Sequence, residues 1–539
     1  MLSLIKIEEK EKIKKYLPKI LIVLIMLLGI FVRIFKIEEY PNALNVDEAS
    51  AGYEAFSIMN YGIDRNGKFL PVFLVAWGSG QNALLTYLMI PFIAIFGLST
   101  FAIRLPMAIL GGISLVVFYS LLKRMTNKKV AIIGLIFLAI CPWQIMKSRW
   151  GLESNLFPDL MLLSIFMIIK GLQDKRKIFQ ILGYVVAGIL AYSYGTSYFF
   201  LPLFFIPLLY LLVKMKEITI KQAILNLAII GIVSLPIILF VIINTFNLPE
   251  IKLPFMTIPR MEVNRYEEIT SIFSSEFLQT SLNNFKGSLE IIFKQVDELN
   301  WNSIWPFGTI YLFSTVFTVI GIITTIRNRK EIKYGYFMGI WFIVSILLTF
   351  VCEPNINRLN IIFFPIIFYT VIGIEEVAKQ GKMFTIVIAI IYIISFAGFL
   401  NTYFREDANT YATFEANLEE PIKYLKTLDE KNEKIYITNT IKESYIYVLF
   451  YSEYNTNDFV NTVEYYNLGD AFRQVKKFGN YNFVEINELE NENVYLVKND
   501  QYENLKMNPQ KYGIQNLEDE FDIKEFVGYT VLQGKKDYR

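Results

Sequence analysis

Asp47 and Glu48 stand side by side in Asn45-Val46-Asp47-Glu48-Ala49-Ser50-Ala51-Gly52-Tyr53-Glu54. A carboxylate in that setting can take a proton from a hydroxyl. Further along, Cys141–Asn155 gathers Lys147, Arg149 and Glu153, and Cys352–Asn360 holds Arg358 among several amides. A guanidinium suits a phosphate, because its planar fork meets two oxygens at once. No histidine occurs in the 539 residues, so proton transfer falls to Asp, Glu, Lys, Tyr or Cys. The cysteines Cys141 and Cys352 both border apolar runs and form no disulfide framework or metal-ligand spacing. Each group also has a plain structural reading. Asp47 can cap a surface helix, Lys147 can snorkel beside interfacial tryptophans, Arg149 can pair with Glu153, and Arg358 can anchor a helix that Asn355 or Asn357 caps.

The elements that must position these residues are membrane helices. The chain is 54% hydrophobic and only 19% charged, with a formal net charge of +2 and a mean hydropathy of +0.39. That excludes a disordered or ordinary soluble protein, and no basic excess points to nucleic acid. The first apolar run, Leu17 to about Phe35, is long enough to span and follows a lysine-rich flank, so the N-terminus is expected in the cytoplasm. Further runs lie near 82–97, 101–122, 130–146, 156–170, 178–195, 198–213, 222–246, 308–326, 334–352, 359–374 and 383–402. If 82–97 spanned, the basic clusters after it would all face outward. Laid instead on the outer surface, it puts Lys123–Lys129, Lys170–Lys177, Lys214–Lys221, Arg327–Lys333 and Lys379–Lys382 inside, as the positive-inside rule requires. The expected architecture is therefore a polytopic α-helical membrane protein of about eleven spans, with surface helices in the first outer loop.

Composition changes near Asn401, which predicts a membrane domain over 1–402 and a small extracytoplasmic α/β domain over 403–539. In that tail, Leu418–Asp429 reads as an amphipathic helix, and Lys434–Thr438, Tyr481–Ile486 and Asn493–Lys498 read as strands. The outer loops are 37–100, 147–155, 247–305 and 352–358. They carry all the candidate groups on one face. The long loop 247–305, with Arg260, Arg265, Tyr266, Trp301 and Trp305, reads as a cover over a cleft. Carboxylates for a hydroxyl proton and arginines for a phosphate leaving group imply transfer from a lipid-linked phosphate.

The residues resemble GT-C membrane glycosyltransferases, the group of protein O-mannosyltransferases and the lipid A aminoarabinose transferase (glycosyltransferase family 39-like). The resemblance rests on Asp47-Glu48, Leu70-Pro71, Gln81–Leu88, Phe96-Gly97, Arg104-Leu105-Pro106, Pro142, Ser148-Arg149 and Glu153, and covers roughly 18–240. It implies a polyprenyl-phosphate sugar donor, an acceptor protein, lipid or glycan, and inversion at the anomeric carbon. It implies Asp47 as general base with Glu48 beside it, Glu153 as the second-loop acid and Arg149 as a lipid-phosphate ligand, with Arg358 joining it. Where the family has Glu-Lys-Pro-Pro, this chain has Gly78-Ser79-Gly80-Gln81-Asn82, so the phosphate-binding lysine is absent there, and Lys68 or Lys147 is the nearest replacement. The second loop lacks an Asp-x-Asp pattern, so no essential metal and no cofactor are expected. The enzyme is expected in a bacterial plasma membrane, with its C-terminal domain outside. A lipid-linked saccharide flippase would instead line a membrane-crossing path with charge. A non-catalytic envelope scaffold would depend on the tail and not on Asp47.

Overall fold

The computed structural model describes residues 2–535 except 79, 264–269, 300, 406–413, 430–433 and 471. Among these residues, seven helices are long and apolar enough to cross a membrane: Tyr16–Ile34, Thr100–Met125, Glu153–Gln173, Ser197–Lys214, Ile220–Thr245, Ile356–Ala378 and Lys382–Tyr403. Shorter apolar helices cover Leu84–Phe96, Lys177–Tyr192, Ser314–Arg327 and Gly335–Val351. At 13 residues, Leu84–Phe96 is about 20 Å long and falls short of the hydrocarbon core. The run 130–146, expected as one span, is two helices, Lys128–Ile140 and Pro142–Lys147. Cys141 between them is extended, because Pro142 has no amide hydrogen to continue the first helix and is preset to open the second.

The chain divides into two compact units: Met1–Tyr40, Arg104–Pro236 and Tyr266–Ala408 in the first, and Pro41–Ile103, Ile237–Arg265 and Asn409–Arg539 in the second. The tail is thus grouped with the first long loop and not set off alone at residue 402. Side chains show why. The Tyr53 hydroxyl donates to the Tyr454 carbonyl at 2.8 Å, the Tyr447 hydroxyl donates to the Leu44 carbonyl at 3.0 Å, and the helix Ser444–Ser452 packs on Val46–Tyr61. The loop 247–305 is also divided. Its start forms the hairpin Ile251–Ile258 in the second unit, and its later part forms the helix Phe277–Lys294 in the first. Arg265 and Tyr266 lie within 264–269, outside the described residues.

The second unit holds the strands. β1 (Phe73–Leu74) pairs with β2 (Gln81–Asn82), and β3 (Ile251–Leu253) with β4 (Met256–Ile258). The remaining strands are β5 (Ile435–Thr438), β6 (Glu464–Tyr465), β7 (Val475–Phe478), β8 (Tyr481–Val484), β9 (Val494–Lys498), β10 (Phe521–Glu525) and β11 (Tyr529–Gly534). They form one sheet in the order β10-β11-β9-β5-β8-β7-β6. β5 is central and parallel to both neighbours, with Ile435 opposite Tyr481 on one side and Val494 on the other; all other pairs are antiparallel. The tail helix runs over Glu419–Asp429.

In the first unit, Ser314–Arg327 and Phe363–Ala378 pack along each other at unusually close range. A Cβ on Gly321 would overlap the Tyr369 carbonyl oxygen, and one on Gly373 would overlap the Phe317 carbonyl oxygen. Thr318 and Thr370 share a hydroxyl hydrogen bond of 2.8 Å across the same seam. Small residues admit such an approach where helix pairing depends on van der Waals contact and not on the hydrophobic effect. Gly321→Ala or Gly373→Ala should therefore cost about 1–3 kcal/mol, read as a lowered thermal midpoint of the detergent-solubilised protein. Gly339→Ala, where a Cβ meets nothing within 4 Å, should change little; equal shifts for all three would refute the close seam.

Candidate active site

Each unit holds part of the expected constellation. In the second, the helix Val46–Tyr61 starts with a capping box. The Asn45 side chain accepts from the Asp47 amide at 2.8 Å, and the Glu48 carboxylate accepts from the Asn45 amide at 3.2 Å. The cap is therefore Asn45 and not Asp47. Glu48 is fully buried and engaged in that box. Asp47 is half-buried in the first helical turn, where negative charge is favoured. Its Oδ1 accepts from the Trp77 indole Nε1–H at 3.2 Å.

Trp77 connects Asp47 to a buried charge cluster that the sequence reading did not find. The Arg65 guanidinium lies 4.9 Å from the Trp77 ring centre and 5.9 Å from that of Tyr445. Arg65 Nη1 donates to Ser50 Oγ at 2.9 Å, its Nε lies 3.4 Å from Glu54 Oε1, and its backbone amide donates to Glu54 Oε2 at 2.8 Å. Arg65 Nη2 and the nearby Asp64 Oδ2 have no hydrogen-bond partner among the described residues. The only trace in the sequence is Gly62-Ile63-Asp64-Arg65-Asn66-Gly67, which reads as an exposed turn. Burial of its charges is decided by the residues that fold over it.

A cavity of about 250 Å³ in the same unit is lined by Arg65, Lys68, Arg260 and Arg473, with Glu262 opposing them. Arg473 reaches it because Gly78 is at φ 109°, and a Cβ there would come within 3.0 Å of the arginine's Cγ. The Arg473 amide donates to the Trp77 carbonyl at 2.8 Å, and its Nη2 pairs with Glu262 at 2.8 Å. Its Nε has no hydrogen-bond partner among the described residues. Lys68, expected as a replacement phosphate ligand, lines this cavity and pairs with Glu250 at 2.7 Å. The arrangement is cationic, partly desolvated and supplied with unused donors, which is the chemistry that binds a phosphate.

The first unit treats its cations differently. Arg149 is fully buried and donates to the carbonyls of Val32 (2.7 Å), Lys36 (3.1 Å) and Tyr40 (2.9 Å). Arg104 donates to the Ile37 carbonyl at 3.0 Å, and Arg33 to Gly29 at 2.6 Å and Leu138 at 2.9 Å. Apart from Leu138, near the end of the helix Lys128–Ile140, these carbonyls lie towards the end of the first membrane helix and in the turn after it, where the helix dipole is negative and backbone acceptors run out of partners. These three bonds place Arg149 as a clamp on the helix end. Lys147 is likewise buried and ion-paired with Asp159, which occupies its charge. Arg358 pairs with Glu353 at 2.5 Å, and Asn355 caps its helix by accepting from the Arg358 amide at 2.8 Å. Tyr194 lies near Arg358 and Glu153; burial pushes its phenol up, and Arg358 opposes the shift. Among the described residues no group of three or more His, Cys, Asp and Glu is placed to hold a metal.

Two tests follow from these charges. Arg149→Ala should destabilise the protein by about 2–4 kcal/mol, since three carbonyls lose their donor, and Arg149→Lys should rescue it only in part. Thermal unfolding decides this, and a stable Arg149→Ala would refute the clamp. Burial, aided by the Glu54 charge, pushes the Asp64 carboxyl well above the usual carboxylate range. The folded state then holds this proton more tightly than the unfolded state. Stability is therefore greatest below the unfolded value of about 3.9 and falls as pH rises towards the folded value. Asp64→Asn keeps an oxygen to accept from the Asn66 and Lys68 amides. It should flatten the loss of thermal midpoint between about pH 4 and pH 8; an unchanged slope would show that Asp64 is already ionised.

Residues 83–243 match the family described as dolichyl-phosphate-mannose-protein mannosyltransferase. No curated protein matches the chain. Among solved structures, ArnT from Cupriavidus metallidurans, bound to undecaprenyl phosphate, has a TM-score of 0.57 at 10% identity, over 97% of this chain and 99% of that one. The archaeal oligosaccharyltransferase AglB from Archaeoglobus fulgidus, in complex with an inhibitory peptide and a dolichol-phosphate, has a TM-score of 0.51 at 14% identity, over 82% of this chain. This chain spans 64% of the length of AglB. At such identities the likeness is one of fold. With the family match over 83–243, it marks the chain as an integral membrane protein that resembles the GT-C glycosyltransferases.

Proposed function

We propose that this protein transfers a sugar from a polyprenyl-phosphate donor to an acceptor hydroxyl, with Asp47 as the base. The observation that carries the reading is the connection within the second unit. The accessible carboxylate of Asp47 is held by Trp77, whose ring face carries Arg65, and Arg65 lines a cationic cavity with an unpartnered nitrogen. The donor phosphate would occupy that cavity, facing Arg65, Lys68, Arg260 and Arg473. The acceptor oxygen would attack the anomeric carbon from the side opposite the phosphate and form the new glycosidic bond. The bond from that carbon to the phosphate oxygen would break as the acceptor proton passes to Asp47. Lipid phosphate would leave with its charge neutralised, and the single displacement inverts the centre. Stabilising the departing charge does most of the work, and proton removal adds to it.

In this reading about eleven segments cross the membrane, the N-terminus is cytoplasmic, and the second unit lies outside a bacterial plasma membrane. The missing lysine of the Gly78–Asn82 segment is made good by Lys68 and the arginines around it. Glu153 and Arg358 stay candidates for a supporting role.

The reading is tested on the full chain in lipid nanodiscs. Mass spectrometry of lipid extracted from the wild type should find a polyprenyl phosphate, with or without its sugar. Lys68→Ala/Arg473→Ala should lose it. Asp47→Asn should keep the lipid while donor consumption falls by about 10²–10⁴-fold. Donor consumption within about threefold of wild type in Asp47→Asn would rule out the base assignment.

A further inference from the structure

A second cavity in the second unit, about 330 Å³, differs from the cationic one in every wall. It sits outside the carboxyl end of β5, where Asn439 follows the strand, and is floored by Phe483 of the parallel neighbour β8. Open α/β sheets characteristically bind ligands in crevices beyond the carboxyl ends of parallel strands. The volume lies at the small end of the usual range for small-molecule sites.

Its chemistry is aromatic and neutral. Tyr445 and Tyr466 both line it. The Tyr466 side chain is 55% exposed, yet it is held in place: its hydroxyl donates to the Phe483 carbonyl at 2.7 Å, and its amide donates to the Gln474 carbonyl at 2.9 Å. An exposed ring fixed in this way loses little freedom when a flat apolar face settles on it. Around the rings, the side chains of Asn439, Gln474, Lys442 and Glu443 make no hydrogen bond or ion pair among the described residues. The one cation and one anion cancel, and the two amides offer both donors and acceptors. Rings to stack on, ringed by unused amide groups and no net charge, match the alternating apolar face and hydroxyl edge of a pyranose.

We infer that this cavity binds a neutral sugar residue, the glycan part of an acceptor. The word acceptor rests on the transfer reading above; the binding of a neutral sugar does not. Tyr445 joins the two places. It lines this cavity while its ring lies 6.1 Å from that of Trp77, the residue that holds Asp47. Two aromatic rings, Tyr445 and Trp77, thus connect a sugar here to the Asp47 carboxylate.

The test is saturation-transfer NMR on the full chain in detergent, with methyl glycosides of glucose, galactose, mannose and N-acetylglucosamine as probes. At least one should show transfer to its ring protons and be displaced by its own excess. Tyr466→Ala should weaken that binding about five- to tenfold, and Gln474→Ala and Tyr466→Phe less, since phenylalanine keeps the ring but loses the hydroxyl that holds it. Asp47→Asn should bind as the wild type does. Absence of any signal up to about 50 mM would overturn the inference, as would equal binding by wild type and Tyr466→Ala. The assay needs no turnover. Binding without donor consumption therefore removes the transfer reading alone, and turnover without binding removes this inference alone.

Discussion

A guanidinium can stay in a water-poor interior only where carbonyls, carboxylates or aromatic faces replace its hydration. Arg65 meets that condition with Glu54, Ser50, Trp77 and Tyr445, and the second unit is arranged around it. The turn that carries Arg65, the helix that carries Asp47 and Glu54, the loop that carries Trp77 and the helix Ser444–Ser452 that carries Tyr445 all converge on one side chain. Removing any of them would leave a buried charge exposed to an apolar surface. The constraint is demanding enough to set the position of Trp77, and through it the position of the Asp47 carboxylate.

The same requirement is met in the first unit by backbone oxygens. Arg33, Arg104 and Arg149 are each fully buried, and each donates to carbonyls around the end of the first membrane helix. A helix end in apolar surroundings needs donors, and arginine supplies several from one side chain. One residue type thus has two roles in this protein. Where carbonyls take up the nitrogens, it holds helices; where a nitrogen is left over beside a cavity, as in Arg65 and Arg473, it is available to an anion.

Two cavities of opposite character then lie in one unit, with Arg65 of the first 5.9 Å from the Tyr445 ring of the second. The cationic one suits a phosphate, and the neutral, amide-rimmed one suits a sugar. A transfer between a phosphate-linked donor and a hydroxyl acceptor needs both kinds of recognition, with a carboxylate between them.

What the sequence determined by itself is what depends on local physics: long apolar runs that become helices, the break forced by Pro142, the polar tail, and the acidic pair at a helix start. The resemblance carried in Asp47-Glu48 and Arg104-Leu105-Pro106 pointed to the fold for the same reason, since those residues sit at helix entries. Only the tertiary structure decided which charges are spent. Glu48 completes a capping box and Arg149 closes a helix, while Lys68 stands beside a cavity. Asp64-Arg65, which reads as a solvated turn, is buried because distant segments fold over it. The worth of a charged side chain is set by the partners and the water left around it, and those come from parts of the chain that no local pattern brings together.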